Sequence, residues 1–197
     1  MDIDFKKSAV VIIDMQNGTC KPGGSLVEMI GVKELRCDKV YEPINKLRDW
    51  AYAKDIPVIY LKTEFKEDFS DAGLLAKKFP VEQFGHFAKG SWDSQIVDEL
   101  AMNDKDILVT KVKWSGFYNT DLEQILKDRN INQLILCGGA TDVCVQETAT
   151  DAFFRNIECF VPKETTFSFF EENEQLGFQQ MSFGRAIVCH LDDILSK

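Results

Sequence analysis

Ile131-Asn132-Gln133-Leu134-Ile135-Leu136-Cys137-Gly138-Gly139-Ala140-Thr141-Asp142-Val143-Cys144-Val145 passes from a largely apolar run through two glycines into a segment of helical spacing. A short apolar run bounded by glycine reads as a strand buried on both faces, as in a parallel sheet covered by helices. The glycines permit a sharp turn, and Thr141 or Asp142 can cap the helix that follows. The Cys144 thiol then sits at a helix N-terminus, where unpaired N–H groups and the macrodipole favour a thiolate. A thiolate beside free backbone donors suits acyl transfer. The competing reading is a half-buried structural cysteine after a glycine turn.

The same alternation extends outward in both directions. Apolar runs predict strands over 8–13, 57–62, 106–111, 133–137, 157–161 and 186–189. Helical spacing predicts helices over 34–54, 94–101, 121–129, 142–155, 171–183 and 192–196. Thr120-Asp121-Leu122-Glu123 has the pattern of a capping box. Buried strands separated by helices predict an α/β chain with a parallel sheet covered on both faces. No repeat, low-complexity tract or linker interrupts it, so residues 1–197 read as one domain. Ligands of such sheets bind outside the carboxyl ends of the strands. The irregular stretch 65–92, rich in Phe, Gly and charge, reads as a substrate lid or a surface excursion.

Composition narrows the partners. With 23 Lys plus Arg against 32 Asp plus Glu, the net charge of −9 argues against a nucleic-acid surface and for a small-molecule or protein partner. No apolar run approaches the roughly 20 residues of a membrane span, and Met1 to Lys7 lacks the layout of a signal peptide, so a cytoplasmic protein without membrane contact is expected. The six cysteines form no C-x-x-C pair, so neither a zinc site nor a disulfide framework is expected. Of the two histidines, His190 closes an apolar run and reads as structural, while His86 lies in the aromatic-rich loop and could line a pocket. The chemistry is therefore expected to run without histidine, metal or cofactor.

Three strand ends carry reactive groups. The first strand ends at Asp14, the third at Lys111, and the fourth in the turn that delivers Cys144. Each alone has an ordinary explanation as a cap, a solvent-reaching lysine or a buried thiol; all three on one rim suggest a site. Asp14 can take the thiol proton as general base and return it to a leaving amine. Lys111 supplies positive charge beside both. Backbone N–H groups of Cys144 and the glycine turn can bind an oxyanion. Together they suggest hydrolysis of an amide-like C–N bond.

Three segments carry a family resemblance. Val11-Ile12-Ile13-Asp14-Met15-Gln16-Asn17, Lys111-Val112-Lys113-Trp114-Ser115-Gly116-Phe117-Tyr118-Asn119-Thr120 and Gly138 to Val145 stand in order, with Thr148, Asp151 and Ala152 on the following helix. In these the chain resembles the isochorismatase-like cysteine hydrolases. The resemblance implies a three-layer α/β/α sandwich on a six-stranded parallel sheet, commonly in a homodimer or homotetramer. It implies Asp14 as base, Lys111 as catalytic lysine and Cys144 as nucleophile. It also implies a cis peptide between Gly139 and Ala140 that aims the Ala140 N–H into the oxyanion hole. Strand alternation puts Lys111 and Lys113 on one face; the family pattern, a lysine four residues before the serine, selects Lys111 against Ser115.

Cys144 favours amide chemistry over vinyl-ether cleavage. Thr63-Glu64-Phe65-Lys66 lacks the Asp-x-His metal motif usual in nicotinamidases. Lys89-Gly90-Ser91-Trp92-Asp93 and Trp114 to Thr120 resemble the ureidoacrylate amidohydrolase branch, whose members act on ureido or carbamoyl groups. The segment 63–72 departs from that branch, as does Trp114 where tyrosine is commoner. The expected substrate is a small amide, most simply a ureido or carbamoyl compound. The alternatives are a nicotinamidase-type hydrolase and a non-catalytic ligand-binding member. Phe65, Trp114 and Phe117 are the expected apolar pocket walls, with Gln16, Asn17 and Tyr118 as polar contacts.

Overall fold

Six consecutive buried side chains, Ser8–Ile13, form the central strand β1 of a computed structural model that describes residues 2–79 and 87–197. Around it stand β2 (Val58–Thr63), β3 (Ile107–Lys111), β4 (Gln133–Gly139), β5 (Glu158–Pro162), β6 (Thr166–Phe167) and β7 (Ile187–Cys189). The order is β3-β2-β1-β4-β5-β7, every named pairing is parallel, and β6 pairs with β4. The order reverses at β1/β4, the crevice where open parallel sheets take ligands. The sheet thus has the six expected strands plus a seventh. β6 holds only two residues, paired to Gly138 and Gly139 beyond the end of β5, too few for a periodic signal.

The helices are α1 (Asn17–Cys20), α2 (Ser25–Ile30), α3 (Tyr41–Ala53), α4 (Leu75–Lys78), α5 (Leu122–Asp128), α6 (Gln146–Phe153), α7 (Glu171–Ser182) and α8 (Leu191–Leu195). Alternation along β1 builds two cores. Ala9, Val11 and Ile13 pack with residues of α5, α6 and α7, while Val10 and Ile12 pack with α3 and α8. The result is the three-layer α/β/α arrangement. The helix expected over 34–54 begins only at Tyr41, after a 3₁₀ turn over Cys37–Val40. That expected over 94–101 shrinks to one 3₁₀ turn, Asp98–Leu100. α1, α2 and α4 have four to six residues, less than two turns, so periodicity does not register them. His190 caps α8, its Nδ1 2.7 Å from Glu164 Oε1. His86 lies outside the described residues. Among those described, no helix is long and apolar enough to cross a membrane.

Candidate active site

β1, β3 and β4 each end on a residue that the fold turns inward. Asp14 leaves β1 with φ +50°, a left-handed conformation that aspartate tolerates better than most residues, and its N–H donates to Leu61 O at 2.9 Å. Beside it, Gly138 has φ +102°, and a Cβ there would lie 2.2 Å from Ile13 O. A Cβ on Gly139 would lie 2.3 Å from the Phe167 ring. Glycine is therefore required at both places so that β4 can end between β1 and β6. The Gly139–Ala140 peptide is cis.

The next turn is wider than an α-helix. Val145 N–H reaches back five residues to Ala140 O at 3.1 Å, so Cys144 sits in a π-turn over Thr141–Val145, and α6 starts only at Gln146. Such turns recur at functional sites. Neither expected cap forms. The Thr141 hydroxyl is buried without a partner among the described residues, and the Asp142 carboxylate accepts from Ser168 Oγ at 2.5 Å.

Lys111 brings the three groups together. Its fully buried ammonium donates to Asp14 Oδ2 at 2.7 Å, Thr63 Oγ1 at 3.0 Å and Lys113 O at 3.1 Å, and lies 3.6 Å from Cys144 Sγ. Thr63 Oγ1 donates in turn to Asp14 Oδ1 at 3.0 Å, so both carboxylate oxygens are held. Thr63 was not singled out by sequence, although it is the last residue of β2 and a search of every strand end would have reached it. Burial alone would push the Lys111 ammonium down, but Asp14 and Cys144 beside it raise it above the usual lysine range. Burial pushes the Cys144 thiol up, Asp14 pushes it further, and Lys111 opposes both. Burial and Asp14 thus disfavour the thiolate expected from a helix N-terminus, and Lys111 favours it.

The residues carrying the first motif divide their labour. Met15 is core, whereas Gln16 is fully buried away from the cavity. Its Nε2 donates to Thr63 O at 2.8 Å and Ser94 O at 3.0 Å, and its Oε1 accepts from Thr63 N at 2.8 Å. Asn17 Nδ2 donates to Trp92 O at 3.1 Å. Gln16 and Asn17, expected as substrate contacts, are clamps between β1, β2 and residues 92–97. Their amides are consumed by backbone groups and do not line the cavity. The second motif is similar: Ser115 Oγ donates to Asp151 Oδ2 and accepts from Phe117 N, and Gly116 N donates to Thr148 Oγ1. These bonds fasten the loop after Lys111 to the helix after Cys144. Phe117 lies in the core under the Arg155 guanidinium, and Tyr118 is half exposed; neither lines the cavity.

Asp14, Thr63, Ala140 and Cys144 form the polar floor of a cavity of about 340 Å³. Phe65 and half-exposed Trp114 line it as expected, and Lys113 reaches it with its ammonium on Ala72 O at 2.6 Å. The described part of the long loop makes one wall through Phe65, Leu75, Phe79 and Phe87. Phe65 and Phe87 are tied by Phe65 N to Phe87 O at 2.8 Å.

Comparison with known proteins shows what the chain is similar to. The model of the isochorismatase domain matches residues 8–193. Ureidoacrylate amidohydrolase RutB of Acinetobacter baylyi is 35% identical over 162 residues, 76% of this chain and 66% of that protein. The corresponding enzyme of Agrobacterium fabrum is 36% identical over 160 residues, 75% of this chain and 70% of that protein. The crystal structure of a cysteine hydrolase from Pseudomonas syringae pv. phaseolicola superposes with a TM-score of 0.90 at 27% identity, covering 98% of this chain and 93% of that one.

Proposed function

The chain belongs to the isochorismatase family, and from that premise we propose that it is a cysteine amidohydrolase cleaving a C–N bond of a small amide, ureido or carbamoyl compound. The observation that carries this reading is the Lys111 ammonium, 2.7 Å from Asp14 and 3.6 Å from Cys144 Sγ, two residues that line the cavity. With burial and Asp14 both favouring the thiol, attack and deprotonation are coupled. As Cys144 Sγ adds to the substrate carbonyl, its proton passes to Asp14. Lys111 offsets the charge that remains, and the N–H groups of Ala140 and Cys144 receive the oxyanion. The C–N bond breaks as Asp14 returns the proton to the departing nitrogen, leaving a thioester on Cys144. Water, deprotonated by Asp14, then attacks that thioester. The acid is released, and the proton goes back to the thiol.

Intact-mass spectrometry after rapid quench tests this sequence. The expected result is a transient acyl or carbamoyl adduct on Cys144 during turnover, and loss of activity in Cys144→Ala. Full turnover by Cys144→Ala would remove the reading, and turnover without any adduct would remove the covalent step. A non-catalytic member would bind the same amides and release neither ammonia nor acid.

A further inference from the structure

The cavity is far less polar than its floor. Leu26, Met29 and Ile30 lie at i, i+3 and i+4 on α2, so one helix face turns toward it. Leu75 and Phe79, four residues apart, face it from α4 and its C-terminal cap. Phe169 and Phe170 close it from the segment between β6 and α7. Three elements distant in sequence thus each present an apolar surface to one space, where Phe170 is 47% exposed. Among the described lining residues the only cation is Lys113, against two carboxylates, Asp14 and Asp142. Lys113 already donates to Ala72 O and Asp142 already accepts from Ser168.

This arrangement suits one class of substituent. An anionic group carried past Cys144 would leave water for an apolar wall beside which both ammonium groups are already taken, Lys111 by Asp14 and Lys113 by the Ala72 carbonyl. A neutral alkyl or aryl group brings no polar atom of its own that needs a partner, and besides the floor only Thr19, Lys113, Asp142 and Asn173 add polar side chains to the described lining. The volume, about 340 Å³, lies in the range of pockets that enclose ligands with a ring or branched chain. Building on the amidohydrolase reading, we propose that the non-reacting substituent of the substrate is uncharged and apolar, of branched-alkyl to phenyl size. It is held between α2, α4 and Phe169–Phe170 while the amide reaches Cys144. Met29 and Phe170 are the specificity-determining residues on opposite sides of this subsite.

Calorimetric titration of the Cys144→Ala protein separates binding from chemistry. The ligands are butyramide, hexanamide and phenylacetamide, with succinamate as the anionic counterpart of butyramide. Affinity should rise about fourfold per added methylene and again for the ring, with succinamate binding at least about tenfold more weakly than butyramide. Met29→Asn and Phe170→Ala, both at partly exposed positions, should each remove most of the gain for phenylacetamide and leave butyramide within about twofold. Affinity independent of chain length, or succinamate binding more tightly than butyramide, would overturn the proposal. Turnover of the same series by the intact enzyme is read separately. Graded binding without turnover keeps the subsite and removes the amidohydrolase reading; turnover with flat binding does the reverse.

Discussion

The Lys111 ammonium stands 2.7 Å from the Asp14 carboxylate, with neither side chain more than 7% exposed. A buried pair of this kind contributes little net stability while intact, but removing one partner strands the other charge. Lys111→Met is therefore expected to destabilise the fold by about 3–5 kcal/mol and to abolish activity. Urea unfolding and a turnover assay measure both. An unchanged midpoint would show that Asp14 does not depend on Lys111 for its charge.

Replacing the base should have opposite effects on sulfur ionisation and on rate. Burial and then Asp14 raise the Cys144 thiol, and Lys111 lowers it. In Asp14→Asn the acidic neighbour is gone while Lys111 remains, so Cys144 should ionise at lower pH. Its alkylation by iodoacetamide should shift toward neutral pH even as kcat drops by about 10²–10⁴. In the unaltered enzyme, Cys144 should alkylate more slowly at pH 7 than a free thiol. Mass mapping of the alkylated cysteines decides the matter. Fast labelling of Cys144 at pH 6 in the unaltered enzyme would contradict a resting thiol.

Alkaline pH should unfold this protein early. Burial pushes the Cys137 and Cys159 thiols well up, whereas an unfolded thiol ionises near about 8.5. Above that pH the unfolded chain gives up protons that the folded chain keeps. The stability is thus fully present below about pH 8.5 and declines as pH rises, by up to about 1.4 kcal/mol per pH unit for each such thiol. Thermal melts under reducing conditions from pH 7 to 10 should show a falling Tm, less steep in Cys137→Ala. A flat profile would argue that these thiols ionise inside the fold.

Gln16 should matter although it does not line the cavity. Gln16→Leu leaves the Thr63 N–H and C=O and the Ser94 C=O without their partners. The expected cost is about 1–3 kcal/mol. Because Thr63 Oγ1 holds Asp14 Oδ1, kcat should fall while KM changes little. Tyr118→Phe, outside the cavity, should leave both constants unchanged. Steady-state kinetics of the two variants provide the comparison; a KM effect in Gln16→Leu with kcat intact would mean that Gln16 touches substrate.

The strands were legible because burial on both faces leaves continuous apolar runs, and β1 keeps its expected limits. β6 was not, since two residues carry no period and owe their strand geometry to Gly138 and Gly139 alongside. Asp14, Lys111 and Cys144 were legible because each ends a readable strand or lies in the turn that follows one. Phe117 and Gln16 were misplaced for a common reason. A side chain just past a strand end can turn to the cavity, the core or a neighbouring loop, and spacing does not distinguish these. Phe65 and Trp114, chosen on the same grounds, do face the cavity.

By itself the sequence determined a doubly covered parallel sheet and an acid, an amine and a thiol on one rim of it, since strand period and glycine punctuation are local properties of the chain. Only the tertiary structure decided the burial that disfavours the Cys144 thiolate, the role of Thr63 as the second hold on Asp14, and the apolar character of the cavity. Each of these depends on what distant segments exclude or supply. Burial pushes the Cys144 thiol up, β2 brings the Thr63 hydroxyl, and α2, α4 and Phe169–Phe170 meet across more than a hundred residues of chain.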